Sequence, residues 1–560
     1  MTSTVLGGIG MFLLGMVLLT DGLKALAGES LRRLLARVTG RRATATLAGV
    51  AVTAVVQSSS ATTLMTIGFV SAGLLALEPA IAVLVGANIG TTTTAWVVAL
   101  LGIKFSVGKL ALPFVGVGAL LKLLTRGRLS ALGIAISGFG LLFIGLDTLQ
   151  TGMSGVADRF GPEAFPASGG LLGRLLLALL GVVMTVVMQS SSAALATTLT
   201  ALHAGSIGLE QAAAVAIGQN VGTTATAVMG AFGAGATAKR TALAQVLLKS
   251  GTGLLVFFAL PWFLGGIVAG CQRVGVADPV LALSAFHTAF NLLGAALVLP
   301  ALPAFAGLVA RLVPERGALF TRHLDPALLA DAPLAVAAGR TAARAAYAEA
   351  LEALVEVVDP ARPIAPALPR IEEVDRALPE VRAWLGRLRT NPEAPQRERG
   401  HHVALLHALD HLERLTGALR EEVQHRSVAD HADVAAIRAL LLRGVGAGQA
   451  DLRTTDPAHA VEHLRAASTA IAGLRREQRP KLLVAAADGV IEPQRAAVVL
   501  EAVRWLDRLG YHTWRAANHL LEPELTAPVA GPRTPEEVAS APAAAPSGAA
   551  AGGDEEGPAA

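Results

Sequence analysis

Residues 56–63 read V-Q-S-S-S-A-T-T and lie in the middle of an apolar region of a 560-residue chain. The stretch TLAGVAVTAV comes shortly before them, and LMTIGFVSAGLLAL follows them. A glutamine and three serines are costly to bury in hydrocarbon unless they find hydrogen-bond partners. The stretch therefore indicates either a packing contact between helices or a polar site inside a membrane.

The polar stretch occurs twice. Val56-Gln57-Ser58-Ser59-Ser60-Ala61 returns as Met188-Gln189-Ser190-Ser191-Ser192-Ala193, with an offset in residue number of 132 (189 − 57 = 132). Gly86-Ala87-Asn88-Ile89-Gly90-Thr91-Thr92 returns as Gly218-Gln219-Asn220-Val221-Gly222-Thr223-Thr224, with the same offset (220 − 88 = 132). Because both composition and spacing agree, residues of about 5–125 and 130–265 are interpreted as two copies of one unit.

The sequence predicts the same four segments in each copy: a long first helix, a pair of short arms around the serine motif, a helix broken at the asparagine motif, and a closing span. Their approximate limits are 5–26, 43–73, 78–101 and 105–124 in the first copy, and 130–152, 172–205, 210–232 and 241–268 in the second. The arms, of about 12–16 residues each, are too short to cross a hydrocarbon core about 30 Å thick. We therefore expect a re-entrant hairpin with the serine motif at its tip.

The first helices of the two copies share a glycine pattern. Gly10, Gly15 and Gly22 return as Gly140, Gly145 and Gly152, with an offset in residue number of 130 (140 − 10 = 130).

Three crossings per copy predict that the second copy is inverted in the membrane. Loop charges agree, because basic residues favour the cytoplasmic side. The first connector carries Arg32, Arg33, Arg37, Arg41 and Arg42, whereas its counterpart carries Asp158, Arg159, Glu163 and Arg174. The sequence thus predicts an outside N-terminus in a bacterial inner membrane, with a seventh span at about 280–302 that brings the polar half inside. Inverted repeats with broken helices are typical of secondary transporters.

Composition separates the chain into an apolar half and a polar half. Hydrophobic residues make up 53% of the chain and charged residues 16%, but most of the charges follow residue 315. The single cysteine, Cys271, excludes an internal disulfide framework and metal–thiolate clusters. The formal net charge of +4 is dispersed, which argues against a nucleic-acid partner.

The serines suit an anion. We expect helices to start near Ala61 and Ala193, each with serines just before it. Serine is a good N-cap, and a helix N-terminus offers backbone N–H groups and partial positive charge. Two such termini could enclose one tetrahedral oxyanion. The candidate anion-binding residues are Gln57, Ser58, Ser59, Ser60, Gln189, Ser190, Ser191 and Ser192. The alternative is packing, since small residues let membrane helices approach.

The asparagine motifs suit a small hard cation. Glycines on both sides of the asparagine predict unwound backbone, whose carbonyls join hydroxyl and amide oxygens as neutral ligands for Na⁺. The candidate sodium-binding residues are Asn88, Thr91, Thr92, Asn220, Thr223 and Thr224. Close packing is again the alternative. Glu78 and Glu210 stand at helix starts, where a structural role is expected.

Two charges and one histidine lie at membrane depth. Asp147 and Lys249 are interpreted as a pair, with an interfacial lysine as the alternative. His287 and Asn291 are four residues apart on the seventh span, where an interhelical hydrogen bond is favoured over cavity lining.

The paired motifs resemble the sodium-dependent phosphate cotransporter family that is related to the animal type II transporters. The resemblance covers residues of about 5–305 and rests on both motifs in both copies. It implies a transporter rather than an enzyme. It also implies Na⁺-coupled phosphate uptake by alternating access, with the serines on phosphate, neighbouring oxygens on Na⁺, and no cofactor beyond the coupling ion. The choice of phosphate over sulfate comes from the resemblance.

The polar half resembles a PhoU-like helical domain, which bacterial members of the family often carry. Its helices are amphipathic, and Asp410-His411-Leu412-Glu413-Arg414-Leu415 and Leu506-Asp507-Arg508-Leu509-Gly510-Tyr511-His512 are similar to the PhoU pattern. Tyr511 stands where that pattern commonly has an acid, which argues against a carboxylate metal cluster.

The predicted fold is all-α: a polytopic membrane protein of two inverted repeats, each with a re-entrant hairpin and a broken helix, plus a cytoplasmic bundle. The predicted limits are 1–127 and 128–305 for the repeats and closing helix, 306–335 for a linker, 336–525 for the bundle and 526–560 for a disordered tail. The expected partners are phosphate, Na⁺, the lipid bilayer and a regulatory protein at the bundle. Two other functions stay open, a membrane-anchored phosphate sensor and a symporter of another oxyanion, and so does the oligomeric state.

Overall fold

A computed structural model describes residues 2–36, 41–104, 111–314, 320–388, 396–421, 431–453 and 457–521. These residues form helices, and no β-strand occurs among them, so the predicted all-α class is confirmed. The chain divides into two compact units: residues 1–342 with 384–390, and residues 343–383 with 391–560. The predicted tail at 526–560 lies outside the described residues.

The first unit contains the helices that surround both motifs. They are α1 (Thr2–Ala36), α2 (Arg42–Val56), α3 (Ser59–Ser71), α4 (Leu77–Gly90), α5 (Thr92–Val97), α6 (Ala111–Leu124), α7 (Arg128–Ala157), α8 (Leu171–Met188), α9 (Ser191–His203), α10 (Leu209–Gly222), α11 (Thr224–Gly230), α12 (Ala236–Arg273), α13 (Pro279–Val298) and α14 (Leu302–Leu312). A π-helix continues α5 over Val98–Lys104.

Six helical stretches in the described residues are long and apolar enough to cross a membrane, so the chain is a multi-pass membrane protein. They are Thr2–Ala27, Leu77–Lys104, Arg128–Ala157, Leu171–Met188, Ala236–Arg273 and Pro279–Val298. Two differences from the seven predicted crossings stand out. The predicted arm α8 has 18 residues, more than expected, whereas α6, predicted as a span, has 14 described residues. The seven-crossing arrangement stays a prediction.

Helices α1 and α7 pack with their backbones in contact. A Cβ added at Gly8, Gly15 or Gly22 would overlap the backbone of α7, at Leu149, Leu142 and Ala135 respectively. As the residue number rises along α1 it falls along α7, so the two helices are antiparallel. Glycine permits this approach, as is usual between helices in membranes.

The contact between α1 and α7 is symmetric under exchange of the two helices. A Cβ at Gly138, Gly145 or Gly152 would meet α1 at Leu19, Phe12 and Val5 respectively. Adding 130 to one partner and subtracting 130 from the other turns the pair Gly15–Leu142 into Phe12–Gly145 (15 + 130 = 145; 142 − 130 = 12). The other two pairs convert in the same way. The two first helices therefore meet across a local two-fold axis.

Helix pairs α2–α4 and α8–α10 use the same glycines in both copies. A Cβ at Gly86 would overlap the carbonyl oxygen of Thr46, and a Cβ at Gly218 would overlap that of Ala178. Both members of each pair of positions differ by 132 (218 − 86 = 132; 178 − 46 = 132). The repeated spacing of the sequence thus corresponds to a repeated packing contact.

The second unit consists of helices that were predicted as amphipathic. The polar half of the chain contains α15 (Ala332–Val358), α16 (Ala367–Gly386), α17 (Gln396–Arg420), α18 (Ala432–Arg453), α19 (Pro457–Ala487) and α20 (Pro493–Leu521). The beginning of α15 and the end of α16 belong to the first unit. In the second unit, Tyr347 donates to the carbonyl oxygen of Thr513 at 3.0 Å, and Trp505 donates to that of Ala418 at 2.7 Å. These bonds join α20 to α15 and α17.

The Gly86→Ala substitution is expected to destabilise the first unit by about 1–3 kcal/mol, because the methyl group overlaps a backbone oxygen that cannot yield. Thermal unfolding of the purified protein in detergent measures the effect. Gly251→Ala is the matched control, since nothing lies within 4 Å of a Cβ at that position on α12. Equal unfolding midpoints for the two variants would contradict the close packing of α2 on α4.

Candidate functional site

Each serine motif forms a sharp turn between two helices. Gln57 ends α2 with φ 57°, and Gln189 ends α8 with φ 51°. In the described chain these are the only residues other than glycine with positive φ. A left-handed backbone costs a side-chain-bearing residue roughly 1–2 kcal/mol and is retained where the surroundings require it. The two glutamines therefore mark a strained turn at the same point of each copy.

The first serine of each motif is the N-cap of the next helix. The Ser58 hydroxyl oxygen accepts from the Ala61 N–H at 3.2 Å, and that of Ser190 accepts from the Ala193 N–H at 3.2 Å. The prediction of serine caps was right, but the predicted starts near Ala61 and Ala193 were two residues late. Because the helices begin at the second serine, the last two serines of each motif lie in the first helical turn.

The asparagine motifs interrupt their helices without unwinding them, so the predicted unwound backbone was wrong. Thr91 and Thr223 keep right-handed helical angles at the break. The Thr92 hydroxyl donates to the Ile89 carbonyl oxygen and the Thr224 hydroxyl to that of Val221, each at 2.8 Å. The side chains thus bond the carbonyl groups that the break leaves without their usual partners.

A small central cavity lies between the two copies. Residues from both asparagine motifs, the second serine motif and α13 line it, namely Thr91, Thr94, Ser191, Ser192, Leu195, Ala216, Gln219, Asn220 and His287. Its volume of about 10 Å³ is room for about one water molecule. Four of the predicted site residues (Thr91, Ser191, Ser192 and Asn220) therefore meet here.

The serine motif of each copy lies beside threonines of the other copy. Ser192 and Thr94 border the central cavity, and subtracting or adding 132 gives their equivalents, Ser60 and Thr226. Those two hydroxyl oxygens lie 3.5 Å apart. Each serine motif (56–61 or 188–193), here called a serine loop, therefore faces residues 91–94 or 223–226 of the other copy, here called its threonine segment. A direct contact joins them on one side, and a cavity separates them on the other.

Two buried polar atoms at the central cavity lack partners in the described part of the chain. They are Gln219 Oε1 and His287 Nδ1, on side chains that are 2% and 7% exposed. A buried polar atom left unpaired costs about 1–3 kcal/mol, so such atoms call for a ligand or water. The structure thus favours cavity lining for His287. Its carbonyl accepts from Asn291 within α13, rather than from another helix.

A second small cavity, here called the lysine cavity, adjoins the first through Asn220. Asn88, Lys249, Thr252 and Asn291 supply its polar lining. Asn88 and Gln245 form a reciprocal amide pair, with 3.0 Å between Gln245 Nε2 and Asn88 Oδ1.

Lys249 donates to the Thr223 hydroxyl, and its side chain is buried. The expected Asp147–Lys249 pair was wrong: Asp147 is exposed, and no ion pair joins these two described residues. The alternative, a lysine that reaches the membrane interface, is excluded by the burial of Lys249.

The two glutamines differ in their surroundings. Gln57 donates to Thr93 at 3.2 Å and accepts from Thr94 at 3.0 Å, which ties the first serine loop to its own threonine segment. Gln189 is exposed, and its amide donates to the carbonyl oxygen of Val186. The second copy has Ala225 where the first has Thr93 (225 − 93 = 132), so it lacks that hydroxyl.

Glu210 has a structural contact: it accepts from Arg174 at 3.2 Å and from Ser168 at 3.1 Å in the first turn of α10. Glu78 occupies the first turn of α4.

Comparison with known proteins places this site in a family. The model of the Na⁺/Pi-cotransporter family matches residues 11–151 and 171–271, which include both serine motifs and both asparagine motifs. "Uncharacterized protein YqeW" of Bacillus subtilis (strain 168) is 32% identical over 312 residues, which are 54% of this chain and 96% of YqeW. The chain belongs to the Na⁺/Pi-cotransporter family. The predicted resemblance is confirmed, and the chain is a transporter rather than an enzyme.

Two further relatives of the chain have names that state a substrate. "Putative inorganic phosphate export protein YjbB" of Escherichia coli (strain K12) is 30% identical over 342 residues, as is the protein of the same name from Salmonella typhimurium. Each match covers 60% of this chain and 60% of the YjbB protein. No solved structure matches the chain. The PhoU-like resemblance of the polar half stays a prediction.

Several residues that border the cavities of this cotransporter-family chain were not predicted as ligands: Thr94, Gln219 and Lys249, with Gln245 and Thr226 beside them. Their signal in the sequence was polarity inside an apolar run. Nine of the predicted site residues are not among the described residues that line either cavity, namely Gln57, Ser58, Ser59, Ser60, Gln189, Ser190, Thr92, Thr223 and Thr224.

The bundle of the cotransporter-family chain holds a buried histidine cluster. His411 Nδ1 lies 3.0 Å from His512 Nδ1, and the His519 ring stacks on His411 at 5.9 Å. Burial, reinforced by His512 and Arg515, lowers the pKa of His411 to about 2. Burial also lowers the pKa of His512 and of His519 to about 4. The lowered pKa values indicate that these histidines are neutral packed rings.

Lower pH is expected to destabilise the bundle. His512 and His519 have folded pKa values of about 4, below the ordinary 6.5, so the unfolded chain binds more protons between these values. Stability is full above about pH 6.5 and falls as the pH drops toward 4, by on the order of 3 kcal/mol for one histidine. Hydrogen exchange of α17 and α20 in the full-length protein, corrected for intrinsic rates, measures the loss.

His512→Phe should weaken this pH dependence. His463→Gln is the control, because that ring is about half exposed and contacts Asp451. An unchanged pH profile in His512→Phe would show that the buried histidines are not its source.

Proposed function

We propose that the chain is a Na⁺-coupled symporter of inorganic phosphate that works by alternating access. The observation that carries the proposal is the central cavity, where a serine loop of one copy meets the threonine segment of the other beside two buried polar atoms without partners. Membership of the Na⁺/Pi-cotransporter family supports the choice of substrate and coupling ion.

The serine loops are proposed to bind phosphate. Ser58 and Ser190 hold the turns as N-caps, which leaves Ser59, Ser60, Ser191 and Ser192 in the first helical turns. Neutral hydroxyls and first-turn N–H groups can donate to an oxyanion without holding it by charge. Gln57 and Gln189 set the turn that aims these donors. A cavity of about 10 Å³ is too small for phosphate, so binding requires the copies to separate.

The neutral oxygens next to the serine loops are proposed to bind Na⁺. These are the oxygens of Asn88, Thr91, Thr92, Asn220, Thr223 and Thr224. Their threonine hydroxyls donate to carbonyl groups, as shown for Thr91, Thr92, Thr223 and Thr224. The lone pairs of these hydroxyl oxygens are thereby left for a cation, and the Thr223 oxygen accepts from the Lys249 ammonium.

The two copies are proposed to be inverted repeats with re-entrant hairpins. The antiparallel, exchange-symmetric contact of α1 and α7 supports inversion, because two equivalent helices that pack antiparallel run in opposite directions through the membrane. The helices α2, α3 and α9 have 15, 13 and 13 residues and are short for a membrane span, which supports hairpins. The longer α8 would tilt or reach the interface.

The chain is proposed to lie in the bacterial inner membrane with its N-terminus outside and its bundle in the cytoplasm. The excess of arginine in the first connector supports this orientation. A regulatory protein is proposed to bind the PhoU-like bundle. Single added cysteines at Thr2 and Asp451, labelled from each side of the membrane, test the two assignments after Cys271 is replaced.

A second candidate function is phosphate export, favoured by the 30% identity to the YjbB proteins. The direction of net transport by a symporter depends on the gradients of the substrate and the coupling ion. Uptake and export would therefore use one site and differ in direction. A phosphate sensor without net transport, or a symporter of another oxyanion, makes different predictions for flux and for competition.

Labelled phosphate uptake into proteoliposomes tests symport. We expect an inward Na⁺ gradient to drive accumulation and a K⁺ gradient of equal size to fail. Accumulation that ignores Na⁺ would exclude Na⁺ coupling. No flux in either direction would favour the sensor, and flux driven only outward by the Na⁺ gradient would favour export. If sulfate inhibits phosphate uptake as strongly as arsenate does, the result would favour a general oxyanion carrier.

Ser191→Ala is expected to raise the phosphate KM about 10- to 100-fold, because it removes a hydrogen bond to a charged ligand. Ser154→Ala is the matched control, since Ser154 is an exposed serine on α7 that bonds only its own helix in the described structure. An unchanged KM for Ser191→Ala would remove the serine loop from the proposed phosphate site.

A further inference from the structure

Lys249 stands out among the cations of the chain. It is the only lysine or arginine that is buried in the described residues, with 4% of its surface exposed. Carboxylates pair with many of the other cations, but none lies within ion-pair distance of Lys249 in the described part of the chain. A buried charge of this kind is costly and is usually functional.

The ammonium group of Lys249 is placed where a cation is expected. Its Nζ donates to the Thr223 hydroxyl, which itself donates to the Asn220 carbonyl oxygen at 2.6 Å. Asn220 and Asn291 line the same cavity and add neutral amide groups. Hydroxyl and amide oxygens around one positive charge are the environment proposed above for Na⁺. A Na⁺ bound in this environment would be repelled strongly by the Lys249 ammonium, because the interior is poorly hydrated.

The first copy has no equivalent cation. Residues 117–119, which precede Lys249 by 132 to 130 positions, read Val-Gly-Ala. The Thr91 hydroxyl donates to the Ala87 carbonyl at 3.0 Å, and no described cation bonds it. The copies are therefore alike in their asparagine motifs, but only the second has a cation bonded to the threonine that follows the motif glycine.

We propose that the Lys249 ammonium occupies the cation site of the second copy as a tethered replacement for one Na⁺. Only the first copy, through Asn88, Thr91 and Thr92, then binds a mobile Na⁺. The inference rests on the proposed function, since it assigns the two sodium sites of that function. It predicts a smaller Na⁺ requirement than two equal sites would give, and a fixed positive charge beside the anion.

Removal of the ammonium should open the second site to Na⁺. The Hill coefficient for Na⁺ activation of phosphate uptake should be about 1 in the natural protein and Lys249→Arg, and should approach 2 in Lys249→Gln, because it cannot exceed the number of coupled sites. Lys239→Gln removes an exposed charge from the same helix and should match the natural protein. Size-exclusion chromatography first confirms that each variant is folded.

Equilibrium binding of ²²Na⁺ to the purified protein separates this inference from the proposed function. Lys249→Gln should bind one more Na⁺ per chain than the natural protein and Lys249→Arg. That gain supports the inference even if the natural protein shows no Na⁺-driven uptake. The lack of Na⁺-driven uptake would overturn only the proposed symport function.

Equal ²²Na⁺ binding by all variants would overturn the inference. So would a raised phosphate KM in Lys249→Gln that added Na⁺ does not restore, because the lysine would then serve the anion alone. Lys249→Met provides the same test if Lys249→Gln does not fold, since it also removes the charge.

Discussion

Backbone groups at a helix end cannot go without partners in an apolar interior, and the first unit is built around that constraint. At each serine break a left-handed glutamine turns the chain, and Ser58 or Ser190 caps the next helix. At each threonine break, hydroxyls such as those of Thr92 and Thr224 donate to the exposed carbonyls. Their neighbours in the same motifs, Thr91, Ser191 and Ser192, border the central cavity. The same motif therefore supports both the fold and the site.

Much of the first unit could be predicted because its signals are local or periodic. Serine beside an apolar helix predicts a cap whatever the tertiary structure, and two motifs that return with one common offset predict two equal units. The helix at the asparagine motif was harder. Glycines on both sides favour unwinding, but whether a helix unwinds depends on whether its carbonyls find other donors. Thr91, Thr92 and Thr93 supply those donors three or four residues away, so the backbone at Thr91 stays helical.

The partner of a buried charge could not be predicted, because it depends on which helices meet. Asp147 and Lys249 are both charged residues in apolar helices, and the sequence alone makes them a natural pair. Packing turns one outward and the other toward Thr223, on the break between α10 and α11. Gln219 and His287 likewise gain their importance from the cavity that they border. Local pattern thus predicts elements and caps, whereas ligand sets follow from tertiary contacts between copies.

Helices α1 and α7 contact each other through residue pairs that exchange when the two copies are exchanged, so the proposed alternating access would leave that contact unaltered. At present Ser60 touches Thr226, while Ser192 and Thr94 border a cavity. After such a trade, Ser192 would touch Thr94 and a cavity would lie beside Ser60. The second end state would then be the first one rotated by half a turn.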